Sequence, residues 1–151
     1  MTEAHSSLKK RSFVLPNKSA CVGCQICELV CSLHHEGKFI PSLARIHVFR
    51  RPFEGIDEPR VCLQCPKPKC VDACPEKAIV VDERTGAKII LEERCTGCGE
   101  CASACPINLE NSVLKIHPTR NVYVKCDLCG GAPECVKWCP AGALLYVRRF
   151  S

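Results

Sequence analysis

The sixteen cysteines of this 151-residue chain fall into four groups of four, and the groups share nearly the same internal spacing. The first and third groups read C-x2-C-x2-C-x3-C, whereas the second and fourth widen the middle gap to four and five residues. A proline follows the last cysteine of every group except the first, where Ser32 follows. In chain order the groups are Cys21, Cys24, Cys27 and Cys31; Cys62, Cys65, Cys70 and Cys74; Cys95, Cys98, Cys101 and Cys105; and Cys126, Cys129, Cys135 and Cys139.

This spacing is typical of [4Fe–4S] clusters, for which bacterial ferredoxins use C-x2-C-x2-C-x3-C-P. The tight loop lets three thiolates converge on one cage, while the fourth cysteine lies about one helical turn further on and points elsewhere. Proline lacks an N–H and resists continuing a helix, so it ends the short ligand helix. The sequence therefore predicts four [4Fe–4S] clusters and a role in moving electrons.

Other uses of cysteine fit this pattern less well. Abundant cysteine indicates disulfides in a short secreted chain, but no secretory signal is visible and cysteines three apart make a poor disulfide framework. Structural zinc takes two C-x2-C pairs a dozen or more residues apart, whereas the third cysteine here arrives after two residues in two of the groups. Thioredoxin-like chemistry needs one C-x-x-C in a βαβ setting, which the sequence lacks.

The formal charge of +5 does not indicate a nucleic-acid partner. Each oxidised cluster with its four thiolates carries about 2−, so four clusters would bring the chain to about −3. No helix-turn-helix, zinc-finger or RNA-binding signature accompanies the basic residues, and no apolar run is long enough to span a membrane. Lys10 to Leu15 is better interpreted as a first strand than as an export signal, so reduced cysteines predict the cytoplasm.

The segments between the cysteine groups predict an α+β fold of short strands and one-turn ligand helices. Two β-rich runs around Gly86 predict a hairpin within residues 78–91. The further predicted strands are 44–51, 113–116, 122–124 and 144–147.

The stretch from Ser32 to Arg60 has no cysteine and is longer than a ferredoxin core needs. It carries Phe39, Phe49 and Phe53. We hold two interpretations open, a docking surface and a simple cover for one cluster. His34 and His35, at its start, are expected to be surface or hydrogen-bonding residues, because the cysteines already supply four sulfurs per site.

The order of spacings resembles the four-cluster ferredoxin subunits of molybdopterin-type oxidoreductases and hydrogenase complexes, over residues 13–148. The passage from Cys27 to Gly37, with Pro41 and Arg45, is similar to the small iron–sulfur subunit of tungsten aldehyde oxidoreductases, as is the passage from Cys126 to Cys135. The resemblance implies one polyferredoxin unit, 1–151, of two ferredoxin-like dicluster halves. Residues 12–55 with 119–151 form one half, and residues 56–118 form the second half, inserted in the first.

The same resemblance implies that each group gives its last cysteine to a cluster of the partner group. The implied ligand sets are set a, Cys21, Cys24, Cys27 and Cys139; set b, Cys126, Cys129, Cys135 and Cys31; set c, Cys62, Cys65, Cys70 and Cys105; and set d, Cys95, Cys98, Cys101 and Cys74.

The sequence holds no phosphate loop, nucleotide fingerprint or recognisable acid–base pair, so we expect no catalysis by the chain itself. Our first interpretation is an electron-transfer subunit that binds a large tungsten- or molybdenum-pterin catalytic subunit. Electrons would leave to a flavin or NAD subunit or to further copies of the chain. A free soluble polyferredoxin, and a subunit of a hydrogenase or carbon monoxide dehydrogenase complex, stay as alternatives.

Overall fold

The computed structural model describes residues 10–150 as a small mixture of short helices and strands. The ends of the predicted unit, residues 1–9 and 151, lie outside the described residues. The strands are β1 (Lys10–Pro16), β2 (Ile46–Arg51), β3 (Ile56–Val61), β4 (Ile79–Val81), β5 (Lys88–Ile90), β6 (Lys115–Ile116), β7 (Tyr123–Val124) and β8 (Leu144–Phe150). The helices are α1 (Ile26–Glu36), α2 (Lys69–Ala73), α3 (Glu100–Ala104) and α4 (Glu134–Trp138). Short 3₁₀ turns cover Pro41–Leu43, Pro52–Glu54, Leu109–Asn111 and Leu128–Gly131.

The strands form four separate antiparallel pairs, β1 with β8, β2 with β3, β4 with β5, and β6 with β7. The first pair joins the two ends of the described chain, with Phe13 opposite Val147. Because β1 precedes the first cysteine group and β8 follows the fourth, this pairing brings those two groups side by side. The helices pack in the same way, α1 against α4 and α2 against α3.

The predicted hairpin within residues 78–91 is present as β4 and β5, with Ile79 opposite Ile90. The predicted strands 113–116 and 122–124 are present but shorter, as β6 and β7. The predicted strand 144–147 extends three residues further, because β1 is long enough to pair with it as far as Phe150.

The first ligand helix is not the single turn that the sequence predicted. Helix α1 runs for eleven residues and ends at Gly37, which takes a left-handed backbone conformation with φ 71°. The other three ligand helices have five residues each and end at the cysteine before the proline. Ser32 in place of that proline explains the difference, because it leaves the backbone N–H that a continuing helix needs.

The long stretch after the first group also holds a hairpin that the sequence analysis missed. Strand β2 lies within the predicted segment 44–51, but its partner β3 was not predicted. Pro59 lies opposite Val48, which a two-stranded edge tolerates because proline only has to give up one ladder hydrogen bond. Buried Glu28 of α1 fastens the hairpin by accepting a 2.8 Å hydrogen bond from the backbone N–H of Val48.

The core is small and contains many of the cysteines themselves. Its main cluster combines aliphatic residues such as Val14, Ile46 and Leu128 with buried cysteines from three of the four groups. Aromatic residues make up only 5% of the chain. The described chain, residues 10–150, has no helix long and apolar enough to cross a membrane.

Candidate metal centres

Each ligand helix is associated with two cysteines four residues apart, both inside α1 but one inside and one directly after α2, α3 and α4. Helix α1 carries Cys27 and Cys31, while α4 carries Cys135 and is followed by Cys139. A spacing of four residues is a rise of about 6 Å along the axis. Because α1 packs against α4, each helix can direct one thiol to its own loop and one to the loop of its neighbour.

Three small cavities are each walled by four cysteines. The first contains the four cysteines of set c, the second those of set a and the third those of set d. In every case three of the cysteines come from one group and the fourth comes from the partner group.

The four cysteines of set b also lie together. Burial raises the pKa of the Cys135 thiol, and the charges of Cys126, Cys31 and Cys129 act next most strongly in the same direction. Cys129 in turn is influenced by Cys31. The structure thus brings the cysteines of sets a, c and d together around cavities and places those of set b within range of one another's charge, and all sixteen are free of disulfides.

The loops that carry the first cysteines share one backbone feature. The residue two positions after the first cysteine takes a left-handed conformation in all four groups, at Gly23, Gln64, Gly97 and Leu128, with φ between 49° and 74°. Gln64 and Leu128 adopt it despite having side chains, at a cost of about 1–2 kcal/mol each. Such a repeated strained conformation indicates that the same loop shape is required at every site.

Backbone amides are directed at the sulfurs from these loops and from the helix ends. Gln64 N–H and Leu128 N–H each lie 3.4 Å from the Sγ of the cysteine two residues earlier. Ala78 N–H and Ala143 N–H lie 3.3 Å from the Sγ of the cysteine four residues earlier. Hydrogen bonds of this kind stabilise thiolates and tune the potentials of iron–sulfur clusters.

The longer helix α1 changes this pattern at Cys31. There Arg45 N–H, on the segment leading into β2, lies 3.1 Å from Sγ. The imidazole of His35 lies 2.9 Å from the carbonyl oxygen of Cys31 through Nδ1 and 2.9 Å from a carboxylate oxygen of Asp127 through Nε2. Asp127 also accepts a hydrogen bond from Cys129 N–H. His35 is therefore a hydrogen-bonding residue, as predicted, and it links the two groups that make up set b.

Burial opposes ionisation of the His35 imidazole, but its hydrogen bonds to Asp127 and Cys31 outweigh burial and raise its pKa to about 9. His34, His35 and Cys129 bring possible ligand atoms within 4.8 Å of one another. Because Cys129 belongs to set b and His35 is already bonded on both nitrogens, we assign no separate metal to this trio.

The chemistry of these sites fits a cluster that takes four thiolates. Burial, followed by the charge of Glu28, raises the pKa of the Cys27 thiol to about 12. Burial is also the main cause that raises the pKa of Cys101 and Cys129 to about 11. Without metal these thiols are held protonated in a small space, and metal binding displaces their protons. Sulfur-only sets are what iron–sulfur clusters select.

The Ser32–Arg60 stretch lines one cavity walled by cysteines and also leaves aromatic side chains in solvent. Val48 and Pro59 line the cavity of set a. Phe39 is 64% exposed and Phe53 is fully exposed. Phe49 is different, because the Arg60 guanidinium lies 4.1 Å above its ring. The residues that line the cavity support the interpretation as a cover, and the exposed Phe39 and Phe53 support the interpretation as a docking surface.

Three buried polar residues beside the cysteine sets were not predicted from the sequence, namely Gln64, Lys88 and Lys125. Nothing in their local sequence distinguishes these lysines from the exposed Lys67 and Lys69. Only the folded arrangement shows that they are buried.

Together the fold and its cysteine sets define a ferredoxin-type iron–sulfur protein. The chain belongs to the 4Fe-4S dicluster domain family, whose model matches residues 54–149. It is thus an iron–sulfur electron-transfer chain of the kind found in oxidoreductase complexes and is not catalytic by itself, and its sixteen cysteines equal the ligand count of four [4Fe–4S] clusters.

Relatives of similar length support this assignment. The polyferredoxin-like subunit of aliphatic sulfonate oxidoreductase from Pyrococcus furiosus is 46% identical over 132 residues, covering 87% of this chain and 73% of that protein. The electron transport protein HydN of Escherichia coli K12 is 32% identical, covering 91% of this chain and 88% of that protein. Among solved structures, the active site complex BamBC of benzoyl coenzyme A reductase contains a chain with TM-score 0.54 and 28% identity, covering 93% of this chain and 83% of that one.

Proposed function

We propose that the chain holds four [4Fe–4S] clusters in sets a to d and acts as the electron-transfer subunit of an oxidoreductase complex. When bound, the clusters supply one-electron carriers. The observation that carries the proposal is the convergence of four cysteines at each of four places, three from one group and one from its partner. The two halves predicted from the resemblance, with 56–118 inserted between 12–55 and 119–151, are part of this proposal.

Neighbouring cluster sites would follow one another through the protein in the order a, b, c, d. Sets a and b share helices α1 and α4, and sets c and d share α2 and α3 in the same way. Sets b and c adjoin, since the side-chain amide of Gln64, beside Cys65 of set c, donates a 2.9 Å hydrogen bond to the carbonyl oxygen of Cys126 of set b. Among the sixteen cysteines only Cys24 of set a and Cys98 of set d are exposed. Electrons would therefore enter and leave at sets a and d, with b and c as inner carriers.

For the partner, we propose a large tungsten- or molybdenum-pterin catalytic subunit, with aldehydes as the first substrate class to test. The passage from Cys27 to Gly37 supports this partner. The relative in Pyrococcus furiosus, a subunit of an aliphatic sulfonate oxidoreductase, makes sulfonates the second class to test. The acceptor would be a flavin or NAD subunit or a further copy of the chain, in the cytoplasm, where cysteines stay reduced.

The exposed aromatic side chains of the Ser32–Arg60 stretch form the proposed contact with the catalytic subunit. Large exposed aromatic side chains are frequent anchors in protein interfaces. We expect Phe39→Ala with Phe53→Ala to weaken co-purification of the partner while iron content stays the same. Phe49→Ala is less suitable for this purpose, because Phe49 packs under Arg60.

A second candidate partner is a hydrogenase or formate dehydrogenase. The formate dehydrogenase iron–sulfur subunit of Haemophilus influenzae, 28% identical over 85% of this chain and 48% of that protein, favours a formate dehydrogenase. The order of the cysteine spacings, which also resembles hydrogenase subunits, supports a hydrogenase.

Anaerobic affinity purification from native cells tests the proposal. We expect about sixteen irons per chain and a large pterin-containing chain in the eluate. Addition of aldehyde or sulfonate should then bleach the clusters, whereas hydrogen and formate should not. Bleaching only by hydrogen or formate would move the assignment to the second candidate. A chain that elutes alone would be a free polyferredoxin, and an iron count near eight would contradict the four-cluster assignment.

A further inference from the structure

Two lysines are buried at the junction between sets b and c. Lys125 is 2% exposed and Lys88 is 8% exposed, and Gln64, which lies between them, is fully buried. Lysine is almost never fully buried unless it is paired, because removing an ammonium from water is costly. The position of these two charges therefore needs a physical explanation.

Their hydrogen-bond partners are all neutral oxygens. The Lys125 ammonium donates to the side-chain oxygen of Gln64 at 3.4 Å, to the carbonyl oxygen of Cys126 at 3.2 Å and to the carbonyl oxygen of Lys88. The Lys88 ammonium donates to the carbonyl oxygen of Gln64 at 3.2 Å. Within residues 10–150, neither lysine forms an ion pair with a carboxylate.

The negative charges that face these lysines are the cysteines. Both lysines line the cavity walled by set c. Burial raises the pKa of the Cys70 thiol of set c and of the Cys126 thiol of set b, and the charge of Lys125 opposes burial at both. One ammonium thus acts on two neighbouring sites.

Gln64 connects the same two sites through hydrogen bonds. Its backbone N–H lies 3.4 Å from Cys62 Sγ of set c. Its side-chain amide donates to the carbonyl oxygen of Cys126 in set b at 2.9 Å, and its side-chain oxygen accepts from the backbone N–H of Lys88 at 2.8 Å. One residue with a left-handed backbone, φ 49°, thus contacts both sites.

We propose that Gln64, Lys88 and Lys125 form a cationic bridge between the two inner clusters, and that its positive charge raises the reduction potentials of both. The inference rests on the proposed assignment of four clusters to sets a to d. Reduction adds negative charge next to a fixed positive charge in a poorly polarisable interior, so the bridge favours it. At an effective dielectric constant of about 20, a unit charge within about 10 Å changes an equilibrium constant by more than tenfold.

The bridge has a specific consequence for electron flow. Each inner cluster has negatively charged neighbours on two sides, whereas each end cluster has a neighbour on one side only. Repulsion between neighbours makes reduction of the inner clusters less favourable. A buried positive charge at this junction offsets that repulsion, so that electrons are not stopped between sets b and c.

The test is Lys125→Met in the full chain, with all four clusters assembled anaerobically and titrated electrochemically under electron paramagnetic resonance. Methionine keeps approximately the length of the side chain without its charge. We expect two clusters to lose at least tenfold in their reduction equilibrium constants, a fall of about 59 mV for a one-electron couple. The other two should change by less than threefold.

The matched control is Lys69→Met. Lys69 lines the same cavity wall but is exposed to solvent, where water and salt screen its charge. We expect a change of less than threefold in every cluster. If Lys125→Met does not retain iron, Lys88→Met is the second variant, with the same tenfold fall expected for the cluster of set c.

Unchanged potentials in an iron-replete Lys125→Met or Lys88→Met variant would overturn the bridge and leave the proposed function standing. Equal shifts in Lys69→Met and Lys125→Met would also overturn it, because burial would then not matter. Iron analysis of the wild-type chain separates the two ideas, since fewer than four clusters there would refute the proposed function and the bridge with it.

Discussion

Replacing Cys31 and Cys135 together should remove one cluster, whereas replacing Cys27 and Cys31 together should remove two. The reason is the crossed arrangement of ligands. Cys27 lines the cavity of set a, while Cys31, four residues further along α1, acts on Cys129 and Cys135. In the proposed sets, two cysteines from one helix therefore serve two sites, and two cysteines from different groups serve one site.

The expected iron counts follow from four irons per cluster. From about sixteen irons in the wild type, Cys31→Ala alone and Cys31→Ala with Cys135→Ala should each leave about twelve. Cys27→Ala with Cys31→Ala should leave about eight. Alanine is preferable to serine, because a serine oxygen can replace the lost ligand.

Iron and acid-labile sulfide are measured on anaerobically prepared protein, and electron paramagnetic resonance counts any site that keeps a three-iron cluster. The second half of the chain supplies a matched control, in which Cys74→Ala with Cys101→Ala should remove one cluster and Cys70→Ala with Cys74→Ala should remove two. The opposite pattern, with one cluster lost from the same-helix pair and two from the cross-group pair, would refute crossed ligation.

Three further perturbations test the fold around the sites. Gly97→Ala should destabilise the holo-protein by about 3 kcal/mol, because a Cβ there would lie 2.5 Å from the carbonyl oxygen of Asn121. Gly37 is also left-handed but faces open space, so Gly37→Ala should cost only about 1 kcal/mol. The rate of cluster loss in denaturant measures both variants, and equal effects would contradict the steric reason. Glu36→Gln should speed cluster loss at pH 7 by an amount equivalent to about 1 kcal/mol. The hydrogen bond from Arg120 lowers the pKa of the Glu36 carboxyl below its ordinary 4.5, so its stabilisation is present above pH 4.5 and is lost as the pH falls through the lowered value. The difference between Glu36→Gln and wild type should then vanish, and a difference that persists in acid would refute the ion pair as its cause. Removing iron with a chelator should abolish cooperative unfolding in circular dichroism, since buried cysteines make up much of the core. An apo-protein with a sharp transition would show that the apolar side chains alone stabilise the fold.

The four cysteine groups could be predicted from sequence because their spacing is local. A loop with cysteines at fixed short spacings can wrap only a small cage, whereas the exchange of the fourth cysteine between groups came from the family resemblance and stays a prediction. The hairpin around Gly86 was predictable for the same reason, since its pattern and its turn lie within fourteen residues.

The features that were wrong or missed depend on contacts between distant segments. Strand β3 contains Pro59, which argues against a strand until Val48 is known to lie opposite it. The length of α1 follows from Ser32, where a single missing proline releases the helix as far as Gly37. Buried Lys125 has no local signal, because burial is decided by residues 37 and 61 positions away, Lys88 and Gln64.

The proposed crossed ligation gives the junction between sets b and c a particular importance for electron transfer. The first and fourth groups exchange cysteines with each other, as do the second and third, so the proposed sets contain no thiol that joins one pair to the other. The pairs are joined instead by the β2–β3 hairpin, by a shared apolar core and by polar contacts such as Gln64 with Cys126 and Arg120 with Glu92. An electron that travels from set a to set d must cross this junction, and no shared ligand helps it there. If the four clusters lie as proposed, substitutions at Gln64 and Lys125 should change the rate of electron transfer between sets b and c without changing any cluster ligand.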